Sequence, residues 1–172
     1  MDRKLKISIE KPLGSGYDLE KDRESRRKSR EALLLKICND PNYRARDGKT
    51  FCNQAVQEDA KASGCDIFDG MLANDMVKTA FSNEEFTVER NISRVIEHVE
   101  NGGFAFAGKE YHDHGHVASI FPFASIFSSA WDKRVPMVAH VGKPPNGVKG
   151  ANFSFSIAQG EPFYFLWKVS EV

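Results

Sequence analysis

The chain carries no net charge, with 24 Lys and Arg against 24 Asp and Glu in 172 residues. That balance gives no long-range attraction to nucleic acid or to an anionic membrane, so neither is expected as a partner. No apolar run reaches the length of a membrane span. Cysteine is scarce: Cys38, Cys52 and Cys65. An odd count in a chain of this length argues against a disulfide framework. The Cys-x-x-Cys spacing of a zinc ribbon or redox pair is missing. There is no internal repeat and no low-complexity segment. The first ten residues alternate charged and apolar side chains and do not read as a signal peptide.

What is present is an ordinary globular composition, 41% hydrophobic and 28% charged, in a length that suits one domain with a core. We expect a single domain over 1–172, with an N-terminal arm over 1–17 that includes a short strand or extended piece at 3–9. Asp18 is placed to cap a helix running to about Cys38. Its run Arg23 to Arg30 reads most simply as a solvated, charged face. Asn39-Asp40-Pro41-Asn42 ends that helix. Thr50 is an N-cap for a second helix from Phe51 to Ser63, closed by Gly64. Helices over Leu72–Phe81 and Ile92–Val99 follow. The pattern then changes to runs rich in Val, Ile and Phe, separated by Gly and Pro. Strands are expected over Phe104–Ala107, His116–Phe121, Val135–Val141, Ala151–Ile157 and Phe163–Val169. Helices first and strands later predict an α+β fold, with N-terminal helices on an antiparallel sheet of five to six strands.

Two stretches carry chemistry. Lys49-Thr50-Phe51-Cys52-Asn53-Gln54 puts Cys52 in the first turn of a helix. Unpaired N–H groups and the helix dipole there favour a thiolate, and its pKa is expected to fall. The same N–H groups can receive a developing oxyanion. Gly115-His116-Val117-Ala118 puts His116 at the mouth of a buried strand, where an imidazole can act as base for a thiol opposite. His140, in Val138-Ala139-His140-Val141, can share a face with His116 if the two strands pair, and then orient it. Cys38 and Cys65 read as small buried hydrophobes, and His98 as a surface or boundary residue.

Taken together, Thr50-Phe51-Cys52-Asn53-Gln54-Ala55-Val56, Leu72-Ala73-Asn74-Asp75-Met76, Gly102-Gly103-Phe104-Ala105 and Gly115-His116-Val117-Ala118-Ser119-Ile120 resemble the NlpC-type papain-like cell-wall hydrolases. The nearest subgroup is the amidase-like enzymes of phage lysins and bacterial toxins. The resemblance covers about residues 40–168. It implies a papain-like fold, with Cys52 as nucleophile, His116 as general base and His140 as the third polar residue. It places Tyr43 near the oxyanion region, and Asn53 and His114 beside the substrate. It further implies acyl transfer on an amide of peptidoglycan without a cofactor, action in the cell envelope or outside the cell after delivery, and a possible cognate immunity or inhibitor protein. Two features depart from the family pattern. The usual Asp-Cys-Ser-Gly is Phe51-Cys52-Asn53-Gln54 here, and Phe123–Lys133 reads as an insertion between His116 and His140. Asn152 and Gln159 are therefore alternatives for the third position.

Two other readings remain open. If His112-Asp113-His114-Gly115-His116 is extended, His112, His114 and His116 share a face and can hold a zinc ion for a metal-dependent hydrolase. The chain can also be an inactive relative that only binds the cell wall.

Overall fold

The structure is a computed structural model that describes residues 16–168. The strand expected over 3–9 lies outside those residues, as do residues 1–15 of the expected arm and Val169. Gly16 and Tyr17 are already helical, so Asp18 lies inside the first helix rather than at its cap. Among the described residues, five α-helices and six strands follow one another: α1 (Gly16–Asn39), α2 (Cys52–Ala62), α3 (Ala73–Ser82), β1 (Phe86–Glu89), α4 (Ile92–Glu100), β2 (Ala105–Lys109), β3 (His116–Ser128), β4 (Lys133–His140), β5 (Gly147–Gly150), α5 (Ala151–Ser154) and β6 (Phe163–Trp167). The strands form one sheet in the order β1-β6-β2-β3-β4-β5, and every neighbouring pair is antiparallel. The fold is α+β, as the order of sequence patterns predicts. No helix among the described residues is long and apolar enough to cross a membrane.

Period-two alternation sorts the core onto two faces. Phe104 and Phe106 of the β2 segment, Val117 of β3 and Phe165 of β6 pack with Val56 and Ala60 of α2 and Met76, Val77 and Ala80 of α3. Their sequence neighbours Ala105, Ala107, Ala118, Tyr164 and Leu166 pack on the other face with Val95 and Val99 of α4, Ala151 of α5 and Phe155 just after it. Three alanines on that face leave room for α4 to lie close. α1 adds Leu34, Ile37 and Cys38 against Phe121, Ala139 and Val141.

Arg30 corrects the expectation of a solvated charged run. It is 4% exposed and forms a bidentate pair with fully buried Asp59, at 3.0 Å from Nε and 2.8 Å from Nη2. Its other donors reach the carbonyls of Gly103 at 2.6 Å and Ile120 at 3.1 Å. The guanidinium thus joins α1, α2, the segment before β2 and the middle of β3. The rest of the run behaves as expected of a surface face: Arg26 pairs with Asp22, Lys28 with Glu24, and Arg27 lies over the Phe123 ring.

Three further expectations change. Ala151–Ile157 is not a strand. Ala151 and Phe155, one helical turn apart, are buried while Phe153 is 70% exposed, and the Phe155 N–H bonds the Ala151 carbonyl. The strand beside β4 is instead Gly147–Gly150. The Phe-Thr-Val-Glu segment forms the edge strand β1. Phe123–Lys133 lengthens the β3–β4 hairpin beyond a register shift between Ile120 and Ser125. Because the extension lies past that shift, the register nearer His116 still pairs Ser119 with Ala139.

Candidate active site

Cys52 is the first residue of α2, and its N-cap is Phe51 rather than Thr50. The main-chain groups of Val117, Asn53 and Cys52 itself and the Thr50 side chain favour its thiolate. Cys52 belongs to the same core cluster as Val117 of β3, one residue beyond His116. Phe51 is held on the outer side by the Arg46 guanidinium, 4.4 Å from its ring centre.

Burial outweighs those groups. The Cys52 side chain is 5% exposed, and desolvation pushes its thiol above the ordinary range, with the four groups pulling the other way. The expected fall in pKa therefore does not occur. A thiolate loses its hydration in such a site, and partial charges on N–H groups recover only part of that cost. Burial raises Cys65 to about 11 as well, and Cys38 to about 11. Both are buried and free, the structural role expected of them.

His116 opens β3, and its ring is set by three neighbours. Phe155 lies at 4.8 Å and His140 at 5.5 Å between ring centres. The Ser154 hydroxyl lies 2.9 Å from Nε2. Burial, then the neighbouring His140 and His114, push its pKa down to about 3, so the resting imidazole is neutral. Burial thus favours the neutral form of both the Cys52 thiol and the His116 imidazole.

His140, 4% exposed, closes β4. The expectation that it shares a face with His116 holds, because antiparallel register sets the two strands side by side. Its Nδ1 lies 2.8 Å from the same Ser154 hydroxyl, and its Nε2 lies 2.8 Å from the Lys143 carbonyl. Burial lowers its proton affinity too, partly offset by that carbonyl. Ser154, at the end of α5, was missed from sequence because its segment mimics a strand. The Ala151–Phe155 spacing fits a helical turn but fits an alternating strand equally, so no sequence signal singles out Ser154.

The remaining candidates fall into supporting places. The Tyr43 hydroxyl donates to Glu58 of α2, which commits its one proton away from an oxyanion. Its carbonyl accepts from Asn146 Nδ2 at 3.0 Å, and Asn146 Oδ1 accepts from the Gly142 N–H at 3.2 Å. Asn53 Nδ2 donates to the Met71 carbonyl at 3.0 Å, as does Gln57 at 2.7 Å. Asn74 bonds the Tyr111 carbonyl at 3.0 Å and so holds the loop leading into β3. His114 is exposed on that loop. His98 is a boundary residue: it is half-buried, with Nε2 3.0 Å from the Phe104 carbonyl. Of the alternatives for the third position, Gln159 is exposed and Asn152 Oδ1 is buried without a partner. Neither is bonded to His116.

The zinc reading required residues 112–116 to be extended. Instead the chain bends at His112 and Asp113, which bond each other at 2.9 Å. His112 and His114 lie in solvent while His116 turns inward. Among the described residues no group of three or more His, Cys, Asp or Glu side chains is arranged to hold a metal ion. Comparison with family models and with curated proteins finds no match for this chain.

Proposed function

We propose that the protein is a cysteine hydrolase that cleaves an amide bond of bacterial peptidoglycan, as a stem-peptide endopeptidase or amidase. One observation carries the chemistry: a thiol at the first position of a helix, in the same core cluster as Val117, the residue that follows His116. The substrate class rests on the sequence resemblance to cell-wall hydrolases.

In this reading His116 Nδ1 takes the Cys52 proton as the sulfur attacks the carbonyl. Main-chain N–H groups at the start of α2 receive the developing oxyanion. The imidazolium then returns its proton to the leaving amine, which departs and leaves a thioester. Water, deprotonated by His116, releases the acid product and restores the thiol. The neutral forms suit this sequence, because the proton moves only when a carbonyl is in place. Action would be in the envelope or outside the producing cell, and an immunity protein is a natural partner for such an activity.

The test is digestion of purified peptidoglycan by the wild type and by Cys52→Ala, with product masses recorded. The wild type should release fragments whose masses identify the bond, and the variant none. Equal release by both would remove Cys52 as nucleophile. No release by either would remove peptidoglycan as the substrate.

A further inference from the structure

We infer that Ser154 is a positioning residue: its hydroxyl links His116 to His140 and holds His116 in the Nε2–H tautomer, leaving Nδ1 bare to act as the base. The inference rests on the proposed role of His116 as proton acceptor for Cys52, and it adds a residue with no counterpart among the candidates read from the sequence.

The polarity of the chain of bonds follows from one fixed end. The Lys143 carbonyl can only accept, so the His140 nitrogen 2.8 Å from it, Nε2, carries the proton. A neutral His140 then has a bare Nδ1, and the atom 2.8 Å from it is the Ser154 oxygen. Ser154 has one proton, and it is directed to Nδ1. Its oxygen is left with lone pairs only. The remaining partner, His116 Nε2 at 2.9 Å, must therefore donate. A neutral imidazole has one N–H, so Nδ1 of His116 is unprotonated.

Every donor in this chain points the same way: His116 to Ser154 to His140 to Lys143. When His116 accepts a proton at Nδ1, Nε2–H goes on donating to Ser154 and no bond has to reverse. Such an arrangement needs no reorganisation during proton transfer, the condition under which a preorganised site is most effective. A histidine bonded to His116 directly would need one ring nitrogen to face another. The serine supplies both an acceptor and a donor in a single atom, and so couples two imidazoles that each keep their own N–H.

Three properties of the surroundings support a positioning role. The His116 ring is also packed on Phe155, the next residue after Ser154. Gly142 lies against both rings: a Cβ there would sit 3.3 Å from Cε1 of His116 and 3.6 Å from Cε1 of His140. His140 is almost fully buried, which restricts its ring to the bonded orientation.

The experiment is nitrogen NMR of ring-labelled histidine in the full-length protein at neutral pH, for the wild type, Ser154→Ala and Ser154→Thr. The wild type should show His116 and His140 both as neutral Nε2–H rings. Ser154→Ala should populate the Nδ1–H form of His116, and Ser154→Thr should restore the wild-type pattern. A wild-type His116 already in the Nδ1–H form overturns the inference without any variant having to fold, and an unchanged tautomer in Ser154→Ala overturns it equally. In the same samples, iodoacetamide labelling of Cys52 should slow about tenfold or more in Ser154→Ala, with Cys38 and Cys65 unaffected. Equal labelling of Cys52 in the two proteins would overturn the coupling to the thiol. Reaction of Ser154 itself with a fluorophosphonate would make it a nucleophile and also overturn the inference. These readouts need no substrate, so the NMR result stands apart from whether peptidoglycan is cut.

Discussion

Acidification should destabilise the protein through His116, and the size of the effect follows from its surroundings. The folded imidazole titrates at about 3, against 6.5 for an unperturbed histidine, chiefly because burial removes water from the charged ring. Above pH 6.5 neither the folded nor the unfolded chain binds a proton there, and the group contributes nothing to pH dependence. As the pH falls below 6.5 the unfolded chain takes up a proton that the folded site refuses. Stability is therefore lost progressively down to about pH 3, where the folded ring also titrates. Integrating that difference gives a loss of about 2 kcal/mol between neutral pH and about pH 5 from this one side chain. His140 and His98 are shifted in the same direction, so the whole protein should lose more. The perturbation that isolates His116 is His116→Gln. Urea unfolding of both proteins, followed by far-ultraviolet circular dichroism across this range, gives two stability curves. The wild-type curve should fall more steeply than the variant's, by about 2 kcal/mol at about pH 5. Parallel curves would refute the claim that His116 is held neutral by burial.

Two further predictions concern the frame around the site. Asp59→Ala leaves the Arg30 guanidinium buried without its carboxylate, and should cost about 3–5 kcal/mol in denaturant unfolding. The double variant Arg30→Met with Asp59→Leu should recover much of that loss, and failure to recover would mean that the carbonyl bonds of Arg30 matter more than the ion pair. Gly115→Ala would put a methyl 2.4 Å from Asn74 Oδ1 and 2.9 Å from the Asn74 N. The start of β3 must shift to accept it, so a loss of about 1–3 kcal/mol is expected, together with slower alkylation of Cys52. Wild-type stability and alkylation in that variant would show that the loop before His116 yields freely.

Much of the site is legible as local pattern. Cys52 falls at a helix start because a polar loop ends at Thr50 and an apolar periodicity begins. His116 and His140 sit at the ends of runs of Val, Ala and Ile that read as strands, while their shared face is conditional on those strands pairing, which the fold decides. Other parts are illegible for physical reasons. Ala151-Asn152-Phe153-Ser154-Phe155 alternates as a strand should, yet Phe153 is exposed and the segment turns as a helix. Over so few residues a period of two and a period near four cannot be separated. Ser154 is hidden by that ambiguity. Arg30 looks like its charged neighbours, and its burial is made tolerable by partners far along the chain, Asp59 and the carbonyls of Gly103 and Ile120.

The sequence by itself determined the α+β order, the positions of Cys52, His116 and His140 on their elements, and the period-two sorting of the core. These depend on contacts within a few residues, where propensity and spacing act directly. Tertiary structure decided the protonation states and the connections. A neutral thiol, a neutral imidazole, the Ser154 bridge and the buried Arg30 each depend on how much water the assembled fold excludes. They depend equally on which distant donors it brings within hydrogen-bond reach, and neither quantity exists until the chain has closed on itself.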